Sequence, residues 1–450
     1  MRFVLKKTTL LLFFLFLSCY FYGQNGFAFY GLNEKKQEVR FKFVNNLIVF
    51  PLTINGKELS FILDTGVNKT ILFSLLTSDS LGINNVERAA LRGLGNGRPV
   101  EALLSRNNTF KIKGMTSNNQ TLYVILEDKF DLSSKMGVTI HGIIGYNLFR
   151  HVIVKIDYNK RKLIFYNPKH YKLEKCRKCE TFPLVFYRNK PYIDAKVQLD
   201  ESSDNLVDVK LLIDSGGSDA LWLFENSKED IKPPTKFFND ILGEGLSGTI
   251  YGKRSRISKF VLGNYHIQKP TVSYLDSLSS INARKFKERN GSLGGNILKR
   301  FKVWIDYPNK RITLKKSGSF ASGFNYNMSG ITVAYNGKTL VKEASNSEIK
   351  IYGGSTSQIS SIDQVDFVTS FSYFFRPVYK ISNIVPGSPA DKAGLKVGDV
   401  FMTINSEQAF KYDLEDIIGL FQERNNKRIW VKVKRGTEVL KFRFRLRKEI

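Results

Sequence analysis

Several residue types are scarce in this 450-residue chain, and each shortage removes a class of function. Three cysteines and four histidines are too few for a His-rich metal centre or a four-thiolate zinc site. Twelve prolines and 34 glycines, without period, exclude a collagen-like or Pro-rich low-complexity chain. Beyond the N-terminal region no stretch reaches the roughly 18 apolar residues that span a bilayer, so no transmembrane segment is expected after leader removal. Acidic residues are also outnumbered: 41 Asp and Glu against 69 Lys and Arg give a formal charge of +28. Such an excess suits nucleic acid, an anionic surface or simply a solvated shell. No nucleic-acid fold signature accompanies it, so nucleic acid is not expected as a partner. Hydrophobic residues, at 42%, are ample for folded cores, and the length suggests about three units at roughly 150 residues each.

The start of the chain has a character of its own. Arg2, Lys6 and Lys7 precede a short apolar block at 10–17. This is the pattern of a secretory signal, assigned to residues 1–23, with a cut after Gly23. The expected location is therefore the periplasm or the extracellular space. An uncleaved anchor, or lipid attachment at Cys19, is the alternative. Once the leader is removed only Cys176 and Cys179 remain, and in an oxidising compartment they are expected to form a local disulfide. No metal or other cofactor is expected.

The chain repeats itself. Gly142-Ile-Ile-Gly-Tyr-Asn147, followed by Val154-Lys-Ile-Asp157-Tyr158, recurs 149 residues later as Gly291-Ser-Leu-Gly-Gly-Asn296 and Val303-Trp-Ile-Asp306-Tyr307. Upstream, Phe61-Ile-Leu-Asp64-Thr65-Gly66 matches Leu211-Leu-Ile-Asp214-Ser215-Gly216 at a shift of 150. Two motifs kept in order at nearly one offset mark a duplicated unit, about 45–168 and 188–316. Both copies read as β. In the first, Leu47–Ile54 and 59–63 flank an Asn55-Gly56 turn; in the second, 192–199 and 207–213 flank a polar loop. Glycine-rich stretches at 93–97 and 243–248 read as hairpin tips.

Asp64 and Asp214 each end an apolar strand, where an isolated carboxylate is costly. Gly66 and Gly216 let the chain turn tightly, and Thr65 and Ser215 can hydrogen-bond across to hold the loops. If the halves pack about a pseudo-twofold axis the two carboxylates meet, and two acids in contact hold one proton between them. One can then take a proton from an attacking water while the other donates to a peptide carbonyl.

At these residues the chain resembles the aspartic peptidases of the pepsin and retropepsin type. Asp64-Thr65-Gly66 and Asp214-Ser215-Gly216 look like that family's two catalytic loops. Ile143-Ile144-Gly145 and Ser292-Leu293-Gly294 look like the bracing elements that end in Gly145 and Gly294. Ser292, Val67 and Gly217 depart from the family's usual residues, with Ser218 supplying a hydroxyl one place later. The resemblance covers about 270 residues. It implies a mainly β, bilobal pair of acid-protease-like barrels, with flaps near 93–97 and 243–248 closing over a protein or peptide substrate.

After Lys316 a Ser/Gly-rich stretch at 317–323 reads as a linker. From Val385-Pro-Gly-Ser-Pro-Ala390 to Gly398-Asp399-Val400-Phe-Met-Thr-Ile404-Asn405 the chain resembles a PDZ domain of the bacterial protease-associated kind. That resemblance implies a helix at 414–422, closing strands at 429–433 and 439–446, and a C-terminal peptide ligand held on loop amides at Ser329, Gly330 and Ile331. Residues 335–373 are longer than such a domain needs. The expected organisation is a leader at 1–23, protease lobes at 24–186 and 187–316, and a PDZ domain with its linker at 317–450. The expected function is an aspartic endopeptidase using Asp64 and Asp214. The rival is a peptide-binding protein with inactive lobes.

Overall fold

The computed structural model describes residues 26–30, 34–73, 81–83, 85–95, 97–126, 131–172, 176–201, 204–352 and 364–450. The expected leader and Cys19 lie outside the described residues. Among them no helix is long and apolar enough to cross a membrane. The chain folds as two compact units: Met1–Phe130 with Ile140–Phe324 and the terminal Ile450, and Asp131–Thr139 with Asn325–Glu449.

In the first unit the duplication is visible strand by strand. Leu47–Ile54 and Lys57–Leu63 pair antiparallel through the Asn55-Gly56 turn, both residues at positive φ as a tight hairpin turn requires. Gly142–Ile144 then inserts parallel to Lys57–Leu63, with Ile143 opposite Ile62. In the second half Lys190–Gln198 and Val207–Asp214 pair antiparallel, and Arg289–Gly294 lies parallel to the latter, with Leu293 opposite Ile213. Each half thus has its own large sheet, of nine and ten strands among the described residues.

The strands that close each repeat leave those sheets. Ile153–Asp157 pairs antiparallel with Phe301–Asp306, and Lys162–Tyr166, Arg311–Lys316, Lys36–Arg40 and Cys179–Pro183 complete a six-stranded sheet built from both halves. Its apolar positions, among them Ile156, Leu163, Phe165, Val303, Ile305 and Leu314, belong to one continuous core that runs through the unit. The repeated Ile-Asp-Tyr motif has a structural cause here. Buried Asp157 accepts from the Lys160 amide, and buried Asp306 accepts from the Asn309 amide and the Arg311 guanidinium, so each aspartate holds its strand's exit turn. Cys176 and Cys179 are joined in a disulfide beside this sheet.

The Ser/Gly-rich stretch after Lys316 is not a free linker. The Arg300 side chain is 1% exposed, and its guanidinium donates to the carbonyls of Ser319, Phe320, Ser322 and Gly323, while Phe324 lies 3.6 Å over it. The backbone is clamped onto the first unit through Phe324. Composition reads the stretch as a linker, but carbonyl acceptors belong to every residue type, so their capture by a distant arginine leaves no trace in composition.

The second unit centres on a six-stranded sheet running through Ile331–Tyr352, Gln364–Ile384, Val400–Ile404, Arg428–Arg435 and Glu438–Arg445. Its helix, Leu414–Leu420, starts in a capping box made by Asp413 and Asp416 and ends two residues earlier than expected. Fully buried Asp399 takes a two-pronged bond from Arg435, 2.7 Å on each oxygen, and one from the Lys396 amide, which fixes the Gly398-Asp399 turn. Gly137 of the Asp131–Thr139 segment sits so close to Leu414 that a Cβ there would come within 2.8 Å of the leucine. The surplus length between 335 and 373 extends the first two strands into a long antiparallel arm.

Arg300 generates a prediction. Each buried acceptor left unpaired costs about 1–3 kcal/mol, so Arg300→Met should lower the unfolding free energy by roughly 2–4 kcal/mol in urea denaturation, and Arg300→Lys should recover only part of it.

Candidate active site

Asp64 and Asp214 come together in the first unit. Each is delivered by the same local construction. An apolar strand ends at the aspartate, a parallel strand runs beside it, and that strand's terminal glycine admits the turn. The Asp64 amide donates to Ile144 O at 2.9 Å. A Cβ on Gly145 would stand 2.1 Å from Asp64 O and 2.4 Å from Val67 O, so no larger residue fits. In the second half a Cβ on Gly294 would stand 2.3 Å from Asp219 O, and the Gly295 amide donates to Gly217 O.

Four hydrogen bonds then lock the loops across the halves. Thr65 Oγ1 donates to Ile213 O at 2.7 Å and accepts from the Ser215 amide at 3.0 Å. Ser215 Oγ donates to Leu63 O at 2.8 Å and accepts from the Thr65 amide at 3.0 Å. Both hydroxyl residues are buried, so every polar group in this crossing is satisfied. Tyr307, at the end of the second half's motif, adds a bond from its hydroxyl to Thr65 O at 3.4 Å and stacks on Phe149. Gly216 faces Asp64 so closely that a Cβ would lie 2.3 Å from the carboxyl carbon, which is why that position has no side chain.

The electrostatics follow from burial. The Asp64 carboxyl is pushed up to about 7, first by burial and then by the charge of Asp214; the Gly66 amide, 2.6 Å from Oδ1, and Lys190 pull it back. Asp214 is also raised by burial, against the opposing charges of Arg289 and Lys190. Two buried acids this close cannot both ionise easily, so the pair retains a proton well above the ordinary carboxylate range.

Lys190 and Arg289 are not expected from the sequence reading. Tyr192 pairs with Leu212, which brings Lys190 level with Asp214, and its hairpin turn is tied to the first half by Asn68 Nδ2 donating to Arg188 O. Burial and the Arg289 charge pull the Lys190 ammonium down, while the two carboxylates pull it up. Arg289 is buried, donates to Gly291 O at 3.0 Å and to Ser292 Oγ at 2.7 Å, and lies over the Phe224 ring at 5.0 Å. That bond explains the serine at 292, where the other half has Ile143. The register of Lys190 with Asp214 could have been read from the strand pattern; Arg289 has no counterpart in the first half.

The glycine-rich hairpins meet at their tips. The Gly97 amide donates to Ser247 O at 2.6 Å, the Ser247 amide to Leu94 O at 2.9 Å, and the Gly93 amide to Ser247 Oγ at 3.2 Å. Below the second hairpin Arg254 is held by Asp219 and Asp240, and Asp219 also accepts from Trp222 and Ser273. In the second unit the loop amides of Ser329 and Gly330 donate to Asn327 Oδ1, and that of Ile331 to Ser329 Oγ. All three amides are therefore engaged internally.

The raised Asp64 pKa has a thermodynamic consequence. A carboxyl whose folded pKa lies above its unfolded value of 3.8 stabilises the fold below that value and loses the contribution as pH rises towards about 7. Unfolding free energies at pH 4.5 and pH 7.5 should therefore fall more steeply for the wild type than for Asp64→Asn, by on the order of 1 kcal/mol per pH unit of titration.

Residues 50–148, which include Asp64-Thr65-Gly66 and Gly145, match the aspartyl protease family model, and residues 380–435 match a PDZ domain model. No curated protein matches the chain. Among solved structures, the aspartic proteinase from Irpex lacteus aligns with 64% of this chain and 99% of its own, at 11% identity and a TM-score of 0.43. On the family matches the chain carries an aspartyl protease domain and a PDZ domain on a mainly β scaffold.

Proposed function

We propose that the protein is an aspartic endopeptidase in which Asp64 and Asp214 act as one acid–base pair. The observation that carries this reading is the buried meeting of two carboxyls, one from each half, on loops held together by crossed hydrogen bonds. The ionised member takes a proton from a water held between them, and the resulting hydroxide adds to the peptide carbonyl carbon. The protonated member donates to the carbonyl oxygen. Asp64, raised by both burial and its neighbour's charge, is the acid; Asp214, facing Arg289 and Lys190, is the base. Collapse of the tetrahedral adduct delivers a proton to the amide nitrogen as the C–N bond breaks. The crossed hydroxyls of Thr65 and Ser215 keep the pair in contact, and the joined tips at 93–97 and 243–248 serve as the lid that shuts out bulk water.

The PDZ domain recruits an extended segment of substrate or partner. The strand beginning at Ile331 is the outer strand of its sheet, which suits addition of a peptide strand. Capture of a terminal carboxylate at 329–331 requires Asn327 to give up its bonds first. The basic leader with its apolar block and the Cys176–Cys179 disulfide support action outside the cytosol.

Incubation with an unfolded protein between pH 3 and pH 8 tests the proposal. Asp64→Asn and Asp214→Asn should each lower the cleavage rate by roughly 10²–10⁴. Equal cleavage by wild type and both variants, or none by any, removes the peptidase reading and leaves the peptide-binding one. The rate profile should be bell-shaped, with an upper limb near pH 7 where the pair loses its shared proton. Lys190→Met, which removes a cation that favours ionisation, should move that limb to higher pH.

A further inference from the structure

The arm of the second unit carries an exposed apolar face among the described residues. Leu340 stands opposite Phe375, and Lys342 opposite Tyr373, so these four side chains share one face of the two-stranded ribbon; Phe371, two residues before Tyr373, lies on it as well. Leu340 is 55% exposed, Phe371 50%, Tyr373 61% and Phe375 71%. Soluble domains leave single apolar residues exposed as a matter of course, but a contiguous aromatic face marks a contact surface.

The charge beside this face has one sign. Lys342 lies on the face with its ammonium 3.9 Å over the Phe371 ring, and Lys338 is exposed at the root of the arm. The neighbouring acid, Glu343, points to the opposite face. There Arg376 holds it through two bonds of 2.8 Å, with the guanidinium over Phe374. The cations at the aromatic face are thus left without a neutralising carboxylate among the described residues. A second copy of this chain is a poor occupant, because it would set Lys342 against Lys342 and a charge of +28 against +28.

We propose that this face of the arm docks on an anionic phospholipid surface. Phe371, Tyr373, Phe375 and Leu340 enter the interfacial layer, while Lys342 and Lys338 meet the headgroup phosphates. Aromatic rings prefer that layer because it accepts an apolar body and a polar rim together, and lysines reach from it to the charged groups. A two-stranded ribbon pairs its own backbone inside, so it can lie along the surface with few unsatisfied groups. Attachment would hold a substrate-recruiting unit at a membrane surface.

Flotation of the full chain with phosphatidylcholine vesicles, with and without 30% phosphatidylglycerol, tests this. The apolar leader is present in every variant, so the comparison between variants isolates the arm. Binding to the anionic vesicles should exceed binding to the neutral ones and weaken with salt. The triple change Phe371→Ser, Tyr373→Ser and Phe375→Ser should lower the partition coefficient at least tenfold, whereas Phe374→Ser on the opposite face should change it less than twofold. A local readout covers the case in which the leader dominates binding: Phe375→Trp should show a blue shift on addition of anionic vesicles that the wild type lacks. No preference for anionic vesicles, no effect of the triple change together with no shift at position 375, or a concentration-dependent dimer abolished by the triple change would overturn the proposal. None of these readouts depends on peptidase activity.

Discussion

Two carboxyl groups buried in contact are the constraint on which the first unit is built. Neither can be fully ionised beside the other at low dielectric, and neither can be left without partners. The surroundings answer each part of that problem. Strands of Ile, Leu and Phe exclude water on both sides of the loops, glycines at 66 and 216 let the carboxyls approach, and Thr65 and Ser215 saturate the backbone where the halves cross. The six-stranded sheet shared by both halves then fixes the distance between them, since Ile153–Asp157 and Phe301–Asp306 are hydrogen-bonded strand to strand. A duplicated chain meets this need directly, because one acid per copy meets its twin at the axis.

The two halves are not electrostatically equal. Lys190 and Arg289 both belong to the second half; Lys190 favours ionisation of both aspartates, whereas the Arg289 charge acts on Asp214. Their own charges are held at a cost in desolvation. Arg289 recovers part of it from Gly291 O, Ser292 Oγ and the faces of Phe224 and Tyr192. The shared proton therefore has unequal surroundings on its two sides, and the proposed division into acid and base rests on that inequality.

What was legible in the sequence is what occurs twice. Asp64 and Asp214, their hydroxyl neighbours, and the glycines at 145 and 294 recur at shifts of 150 and 149, and internal comparison isolates recurring residues. Arg289 and Arg300 occur once each among 69 cations and nothing in the chain singles them out, whereas Lys190 could be reached only through its strand register with Asp214. The flap tips were legible as turns from glycine, but their mutual contact through Ser247 depends on three-dimensional closure alone. The stretch at 317–323 precedes the boundary between the two units, but its clamping was hidden for a related reason: serine and glycine describe side chains, while Arg300 binds the carbonyls behind them. In the second unit the motif around Gly398 and Asp399 was readable, whereas the occupation of the 329 and 330 amides by Asn327, and of the 331 amide by Ser329, follows from side-chain rotations that sequence does not encode.

The account stands or falls on the shared proton. Carbon-13 NMR of protein labelled at the aspartate carboxyl carbons, with the Asp64→Asn and Asp214→Asn proteins used for assignment, observes it directly. The account predicts two mutually dependent resonances, one of which keeps a protonated shift until about pH 7 and moves when the other residue is replaced. Two independent titrations, both complete near the ordinary carboxylate value of about 4, would contradict it.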